Sequence, residues 1–395
     1  MRYELLGSEL TLSTIRDVHT LHRIGEALAR IRSITTLRLL GGQIGAIGFG
    51  VLSEALKQNR SLSMLELDIQ ALGSHGMRCL ADLLAFRPNI VSLLLREYLE
   101  VQWAEPLTTM LETPAQCHLR VLRLNGCRNT PTNGVVASRV VAALLHNRSV
   151  TELDLQFHWV SSEAAAAGAG IAQLIAQNRT ITNLTLRHQC LNQTAMLSIW
   201  PAVLKSRTLK KLDLSSNFFR WLGEGTGPEW TPDGWTLADC PLEHLSLAWC
   251  TLQPDCIIQA ALSLARNTAL RNVDMSVDIV GPERVRIHEV FVTALASNLT
   301  LRSVQGMPNL LPYLRRNEGV RCHRADKCRL ATIGILGLKR RRLSAYKMVA
   351  NEMIDKVARL VWHTALDEAW GNPPRRPALK KTKRKKSRVS TRKKK

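Results

Sequence analysis

Residues 380–386 read Lys380-Lys381-Thr382-Lys383-Arg384-Lys385-Lys386, six cations in seven positions. Dense positive charge on an extended segment is drawn to an acidic groove or to a phosphate backbone. The run therefore has the form of a nuclear-import signal, read by an import receptor, or of a non-specific nucleic-acid contact. No aromatic residue interleaves with it, so base stacking is not offered. Ser387, Ser390 and Thr391 beside it would lower the local charge if phosphorylated. Other chemistry is thin. Cys322, His323 and Cys328 match no common four-ligand zinc spacing and lack a second pair. Gly45-Ala46-Ile47-Gly48 has no phosphate-loop context, and neither G-x-S-x-G nor H-E-x-x-H occurs. The expectation is a non-enzymatic chain with no metal and no cofactor.

The segments that must position any binding residues are written in repeats. Leu209-Lys210-Lys211-Leu212-Asp213-Leu214-Ser215-Ser216-Asn217 reads L-x-x-L-x-L-x-x-N, with leucines alternating toward one face as an extended segment requires. The same core restarts at Ile34, Leu62, Ile90, Leu119, Val150, Ile181, Leu209, Leu242, Leu270 and Leu301, at intervals of 28 to 33 residues. Ten matches in register over almost 270 residues define a repeat architecture. Between cores lie helix-period stretches such as Val135 to Leu145 and Ala164 to Ile175. They close on Asn59-Arg60-Ser61, Asn147-Arg148-Ser149, Asn178-Arg179-Thr180, Asn267-Thr268-Ala269 and Asn298-Leu299-Thr300. Because Asn tolerates the left-handed conformation and can bond free carbonyls, these triplets are expected to terminate helices rather than to carry glycans.

A strand and a full helix within 28 to 31 residues resembles the ribonuclease-inhibitor-like leucine-rich repeats. These are also found in Ran GTPase-activating proteins and in nucleotide-binding leucine-rich receptors. The resemblance covers roughly residues 7 to 314. It implies an α/β horseshoe, a right-handed solenoid of about ten strand–helix repeats. The turn position of that family, Asn or Cys, is Cys127, Asn217 and Cys250 here. It departs to Gly42, Gln70, Tyr98, His158, Gln189 and Asp278.

Residues interleaved with the anchors should face the hollow of such a solenoid. The middle row is Arg38, Glu66, Leu94, Arg123, Asp154, Thr185, Asp213, Ser246, Asp274 and Gln305, and the next row includes Arg96 and Arg187. The mixed signs differ from the single positive stripe of a nucleic-acid groove and suit a protein partner. After Asn217 comes a segment dense in Gly and Pro, expected to be a loop in place of an outer helix. It carries Phe218, Trp221, Trp230 and Trp235. With Trp103, Trp159 and Trp249, which follow strand cores, these are candidates for an aromatic rim or for gap-filling core.

The remaining organisation follows from composition. Residues 1–33 read as an N-terminal cap, with Gly7 to Leu12 a weak copy of the core, and residues 34–314 as the repeats. Residues 315–342 form a basic connector, 343–370 an amphipathic helix, and 371–395 a disordered basic tail. Of the formal charge of +22, 13 Lys or Arg lie within 375–395, which hold no Asp or Glu. Nine cysteines without a compact framework, no apolar leader and no membrane-length apolar run predict an intracellular chain, nuclear or else cytoplasmic. No nucleotide-binding domain is seen before the repeats. The reading that follows is a protein-binding scaffold directed by its tail. The alternatives are a GTPase regulator resembling Ran GTPase-activating proteins, and an RNA- or chromatin-associated protein acting through the tail.

Overall fold

The computed structural model describes residues 2–13, 18–42, 44–69, 72–96, 101–125, 133–156, 163–217, 219, 236–252, 254–276, 282–306, 310–320 and 322. Residues 1–317 form one compact unit and residues 318–395 a second. In the first unit the chain alternates strand and helix. It opens with β1 (Arg2–Leu6), β2 (Glu9–Ser13) and α1 (Val18–Arg30). Next come β3 (Thr36–Gly42), α2 (Gly45–Leu56), β4 (Met64–Ile69), α3 (Gly73–Phe86), β5 (Ser92–Leu95) and α4 (Val101–Glu112). Then follow β6 (Val121–Asn125), α5 (Asn133–Leu144), β7 (Glu152–Gln156), α6 (Ala164–Gln177), β8 (Asn183–Thr185) and α7 (Gln193–Lys205). The series ends with β9 (Lys211–Asp213), β10 (His244–Ser246), α8 (Pro254–Leu264), β11 (Asn272–Asp274), α9 (Pro282–Ser297) and β12 (Ser303–Gln305).

All twelve strands form one sheet in sequence order, parallel except for the β1–β2 hairpin. The second anchor of every core lies in a single register row. It runs Leu10, Leu37, Leu65, Leu93, Leu122, Leu153, Leu184, Leu212, Leu245, Val273 and Val304. From Leu37 to Val304 these side chains are buried, and the helices lie on their side of the sheet. Strands pack about 4.8 Å apart and helices about 8–10 Å apart, so the sheet must line the inside of the curl and the helices the outside. One contact is closer still. A Cβ on Gly168 of α6 would meet the Ala195 Cα of α7 at 2.4 Å, so only glycine allows this approach.

The helix ends are held differently from the sequence expectation. None of Asn59, Asn147, Asn178, Asn267 or Asn298 adopts a positive φ, and Asn178 is extended at φ −70°, ψ 138°. Each amide instead reaches into the preceding repeat. Asn178 Nδ2 donates to the Leu144 carbonyl at 2.8 Å and the Asn147 carbonyl at 3.1 Å. Its Oδ1 accepts from the N–H groups of Thr180 and Ile181 at 2.8 and 2.9 Å. Asn59, Asn147, Asn267 and Asn298 repeat this pattern. All five are buried, and the Ser or Thr two residues on, where present, bonds the same Oδ1. The N-x-[ST] triplets are therefore structural. Arg87 substitutes in the third repeat, donating to the Asn59 carbonyl, and Ser206 in the seventh, where its Oγ accepts from Leu209 N–H.

The ladder runs past the boundary expected at residue 314. Residues 311–317 are helical, Leu310 and Leu314 are buried, and Asn317 Nδ2 donates to the Leu295 and Asn298 carbonyls. The connector, helix and tail predicted beyond residue 322 lie outside the described residues.

Removing one of these amides strands several buried backbone groups at once, at about 1–3 kcal/mol for each group left unsatisfied. Asn178→Ala should lower stability by roughly 3 kcal/mol or more. Equilibrium urea unfolding followed by circular dichroism measures it, with Arg179→Ala on the solvent side as the unaffected control.

Candidate binding face

The face of the sheet away from the helices carries the predicted interleaved row in strict register. Arg38, Glu66, Leu94, Arg123, Asp154, Thr185, Asp213, Ser246, Asp274 and Gln305 sit opposite one another strand by strand. Strand pleating sends alternate side chains to opposite faces, so burying the leucines commits this row to the hollow.

Many of these charges are matched within the wall. Glu66, although on the inner face, is buried, with one carboxylate oxygen 3.2 Å from Arg38 Nε and the other 3.3 Å from Arg96. Arg38 also meets Glu9 at 3.3 Å. Arg123 pairs with Glu152 at 2.6 Å and Arg187 with Asp213 at 3.2 Å. The cations on the row thus serve first as cross-strand partners, and Glu66 is enclosed between two of them.

Toward the C-terminal side the character changes. A hollow of about 420 Å³ is lined by β8 to β12, with Lys211, Asp213, His244, Ser246 and Asp274 on its wall. Asp213 and Asp274 each accept from the backbone N–H and hydroxyl of the serine two residues on, Ser215 and Ser276. The other oxygen of Asp213 meets Arg187, and since a carboxylate offers about four acceptor sites, each of the two groups keeps acceptor capacity beyond these bonds. Burial pushes the Asp154 carboxyl up from its usual range, against the opposing pull of Gln156 and Arg123. Burial, with Lys211 nearby, holds His244 below the usual imidazole value. Asn272 Nδ2 lies 2.7 Å from His244 Nδ1; with the amide as donor, the neutral ring carries its proton on Nε2.

At the edge where the strands end, the eighth residue of the core is left-handed in four repeats: Gly41 (φ 63°), His188 (54°), Ser216 (59°) and Trp249 (57°). Glycine does this freely, while a bulky side chain in this conformation is an outlier. Trp249 is also 69% exposed, so its ring stands in solvent on the rim, three residues after β10 ends. Trp103 is within α4 rather than directly after a strand. Trp200, which the motif reading does not single out, is a core residue of α7. Trp159, Phe218, Trp221, Trp230 and Trp235 lie outside the described residues, as do Lys380, Lys381, Lys383, Arg384, Lys385 and Lys386.

Behind the rim runs a second ladder. Asn217 Nδ2 donates to the Leu186 carbonyl at 2.8 Å, and its Oδ1 accepts from the N–H groups of Gln189 and Leu191 at 3.0 Å each. Cys250 Sγ donates to the Leu214 carbonyl at 3.1 Å, and Gln189 Nε2 to that of Leu155. Gln189 departs from the family residue yet reaches the same kind of acceptor, because its longer amide spans the gap. Burial pushes the Cys250 thiol up to about 12, which keeps it protonated as a donor.

A family model described as Leucine Rich repeat matches residues 146–167, which span Asn147 and the β7 core. The chain is 25% identical over 291 residues to the ribonuclease inhibitor of Sus scrofa, covering 64% of this chain and 60% of that protein. The repeats of this chain are thus similar to the ribonuclease-inhibitor-like leucine-rich repeats. It is also 25% identical over 263 residues to human NACHT, LRR and PYD domains-containing protein 14, covering 66% of this chain. It spans about a quarter of the length of that protein and of its mouse counterpart. Among solved structures, the yeast Rad7 and Elc1 complex matches with 16% identity, covering 73% of this chain and 76% of that one, at a TM-score of 0.37. Relatives with these repeats support a protein-binding scaffold. Among the described residues, no group of three His, Cys, Asp or Glu is placed to hold a metal, and no helix is long and apolar enough to cross a membrane.

The raised pKa of Asp154 carries a sign that can be checked. A carboxyl that resists ionisation when folded costs stability above its folded pKa, and the cost vanishes at pH values where both states are protonated. Asp154→Asn should therefore raise the urea midpoint at neutral pH, with the gain shrinking as pH falls through the carboxylate range.

Proposed function

We propose that the repeats form a non-enzymatic recognition scaffold whose inner sheet face and rim hold a folded protein partner, and that the basic tail directs it to the nucleus. The observation that carries the first part is the C-terminal hollow. There the middle row alternates carboxylate and uncharged hydrogen-bonding residues on successive strands, Thr185, Asp213, Ser246, Asp274 and Gln305, and Asp154 continues the row on the neighbouring strand β7. Carboxylates on every second strand stand about 10 Å apart, a spacing that suits separate donor side chains on a partner surface. The exposed Trp249 supplies the kind of aromatic anchor that concentrates binding energy at interfaces. The remaining proposed contact positions are Arg38, Glu66, Arg96, Arg123, Trp159, Arg187, Phe218 and Trp221. Of these, Glu66 would act by fixing Arg38 and Arg96.

Proximity labelling with quantitative mass spectrometry tests the binding face, comparing the native chain with the Asp213→Lys/Asp274→Lys variant. Reversing two charges in an interface should reduce labelling of the true partner on the order of ten-fold or more. An unchanged set of labelled proteins would remove the hollow from the interface.

The tail reading rests on Lys380–Lys386 and is tested separately. A chain ending at residue 374 should lose nuclear accumulation in fluorescence imaging and keep binding of the partner in purified form. A steep salt dependence of binding that disappears with the truncation would instead favour nucleic acid as the tail's ligand.

A further inference from the structure

The margin where each helix ends and the next strand begins carries charge of one sign. Ten six-residue segments, each starting four residues before a first anchor, run from 30–35 to 297–302 and hold 13 Lys or Arg against Asp239 and Glu243. Residues 1–314 as a whole hold 28 Lys or Arg against 26 Asp or Glu. The segments are contiguous in space. The carbonyl after each first anchor accepts from the N–H of its counterpart in the next repeat, without a break from Thr35 through Arg120, Lys210 and Arg271 to Arg302. Two residues before the anchor stand Arg60, Arg148, Arg179 and Arg207, all exposed and, among the described residues, in no ion pair. Glu243 is the one carboxylate in the row after the anchor, and it already lies 3.6 Å from Lys210 and 3.3 Å from Arg271. Burial, and then the charges of Arg60 and Arg32, hold the Arg87 guanidinium below its usual value, so cations of successive repeats feel one another.

Helix ends alone do not call for these charges. A cation in the last turn offsets the helix dipole, yet only α1 and α7 hold one there, Arg30 and Lys205. We propose that this margin binds the phosphate backbone of double-stranded nucleic acid without reading base sequence. The stripe of one sign that the inner face lacks is the footprint such a surface requires. Guanidinium groups pair bidentately with phosphate oxygens. A duplex carries one phosphate charge per about 1.7 Å of axis, so cations about 5–10 Å apart along the margin each find one. An acidic protein partner would need apolar anchors at its centre, and a single strand would need aromatic platforms. Of the exposed large apolar side chains among the described residues, only Phe86 lies in these segments. The margin is opposite the rim and apart from the inner face, so the proposal does not rest on the reading of the hollow.

Fluorescence anisotropy of the full chain with a mixed-sequence DNA duplex of about 20 base pairs, over a salt series, tests it. A variant carrying Arg60→Gln, Arg148→Gln, Arg179→Gln and Arg207→Gln should lower the slope of log affinity against log salt by about 3 to 4, since each phosphate contact contributes about 0.9. Each substitution alone should remove about one unit. Because the tail is also cationic, the four changes are repeated in a full chain with Lys380→Gln, Lys381→Gln, Lys383→Gln and Arg384→Gln, where the same reduction is expected. Polyglutamate and a single strand of the same length should both bind more weakly than the duplex. Circular dichroism identical to the native chain checks that the variants fold. A slope that the margin substitutions leave unchanged would assign all binding to the tail and overturn the proposal. Polyglutamate or single-stranded DNA binding as tightly as the duplex would overturn it as well.

Discussion

A helix that ends inside a stack leaves its last carbonyls with no intrahelical partner and no access to water. The chain then turns into the next strand with N–H groups in the same position. In this array one buried amide answers both needs. Asn59, Asn147, Asn178, Asn267 and Asn298, each three residues before the first anchor of a core, donate backward to the preceding repeat and accept from their own chain. The bonds fix repeat against repeat, and so fix the spacing and register of the strands. From that register follow the unbroken aliphatic row on one face and the interleaved polar row on the other.

The inner face shows the same economy. Parallel strands in fixed register bring side chains from residues about thirty apart to within bonding distance, so charges of opposite sign on neighbouring strands pair before any partner arrives. Arg38, Glu66 and Arg96 form such a cluster, and Arg123 with Glu152 another. The N-terminal part of the face is thereby stiffened. The C-terminal part lines a hollow with Asp213 and Asp274, and Trp249 is exposed three residues after β10. The two ends of the row therefore differ: a carboxylate is enclosed between arginines at one, and carboxylates line a hollow at the other.

Much of this was legible from sequence because period and spacing carry it. The L-x-x-L-x-L spacing names the anchors, and alternation then assigns the facing row residue by residue. Legibility failed where a residue's partner lies a whole repeat away. An Asn after a helical stretch looks like the cap of its own helix, yet the carbonyls that Asn178 binds belong to Leu144 and Asn147. Gln189 reads as a departure from the turn pattern until its reach to Leu155 is seen. Arg87 and Asn317 carry no N-x-[ST] triplet and so gave no signal, although both act at the ladder. The burial of Glu66 follows from the two arginines closing over it, which a list of signs along a row cannot express.

Ser206 breaks the helix-end ladder at the seventh repeat, where its hydroxyl replaces an amide and reaches no carbonyl of the preceding repeat among the described residues. On the opposite margin of the same repeat, Asn217 ties Leu186, Leu214, Gln189 and Leu191 together. The helix-end hem thus lapses at this repeat, while the rim hem, with Gln189, Asn217 and Cys250 as its stitches, runs on through it. Where one hem lapses, the other carries the side-chain bonds between neighbouring repeats.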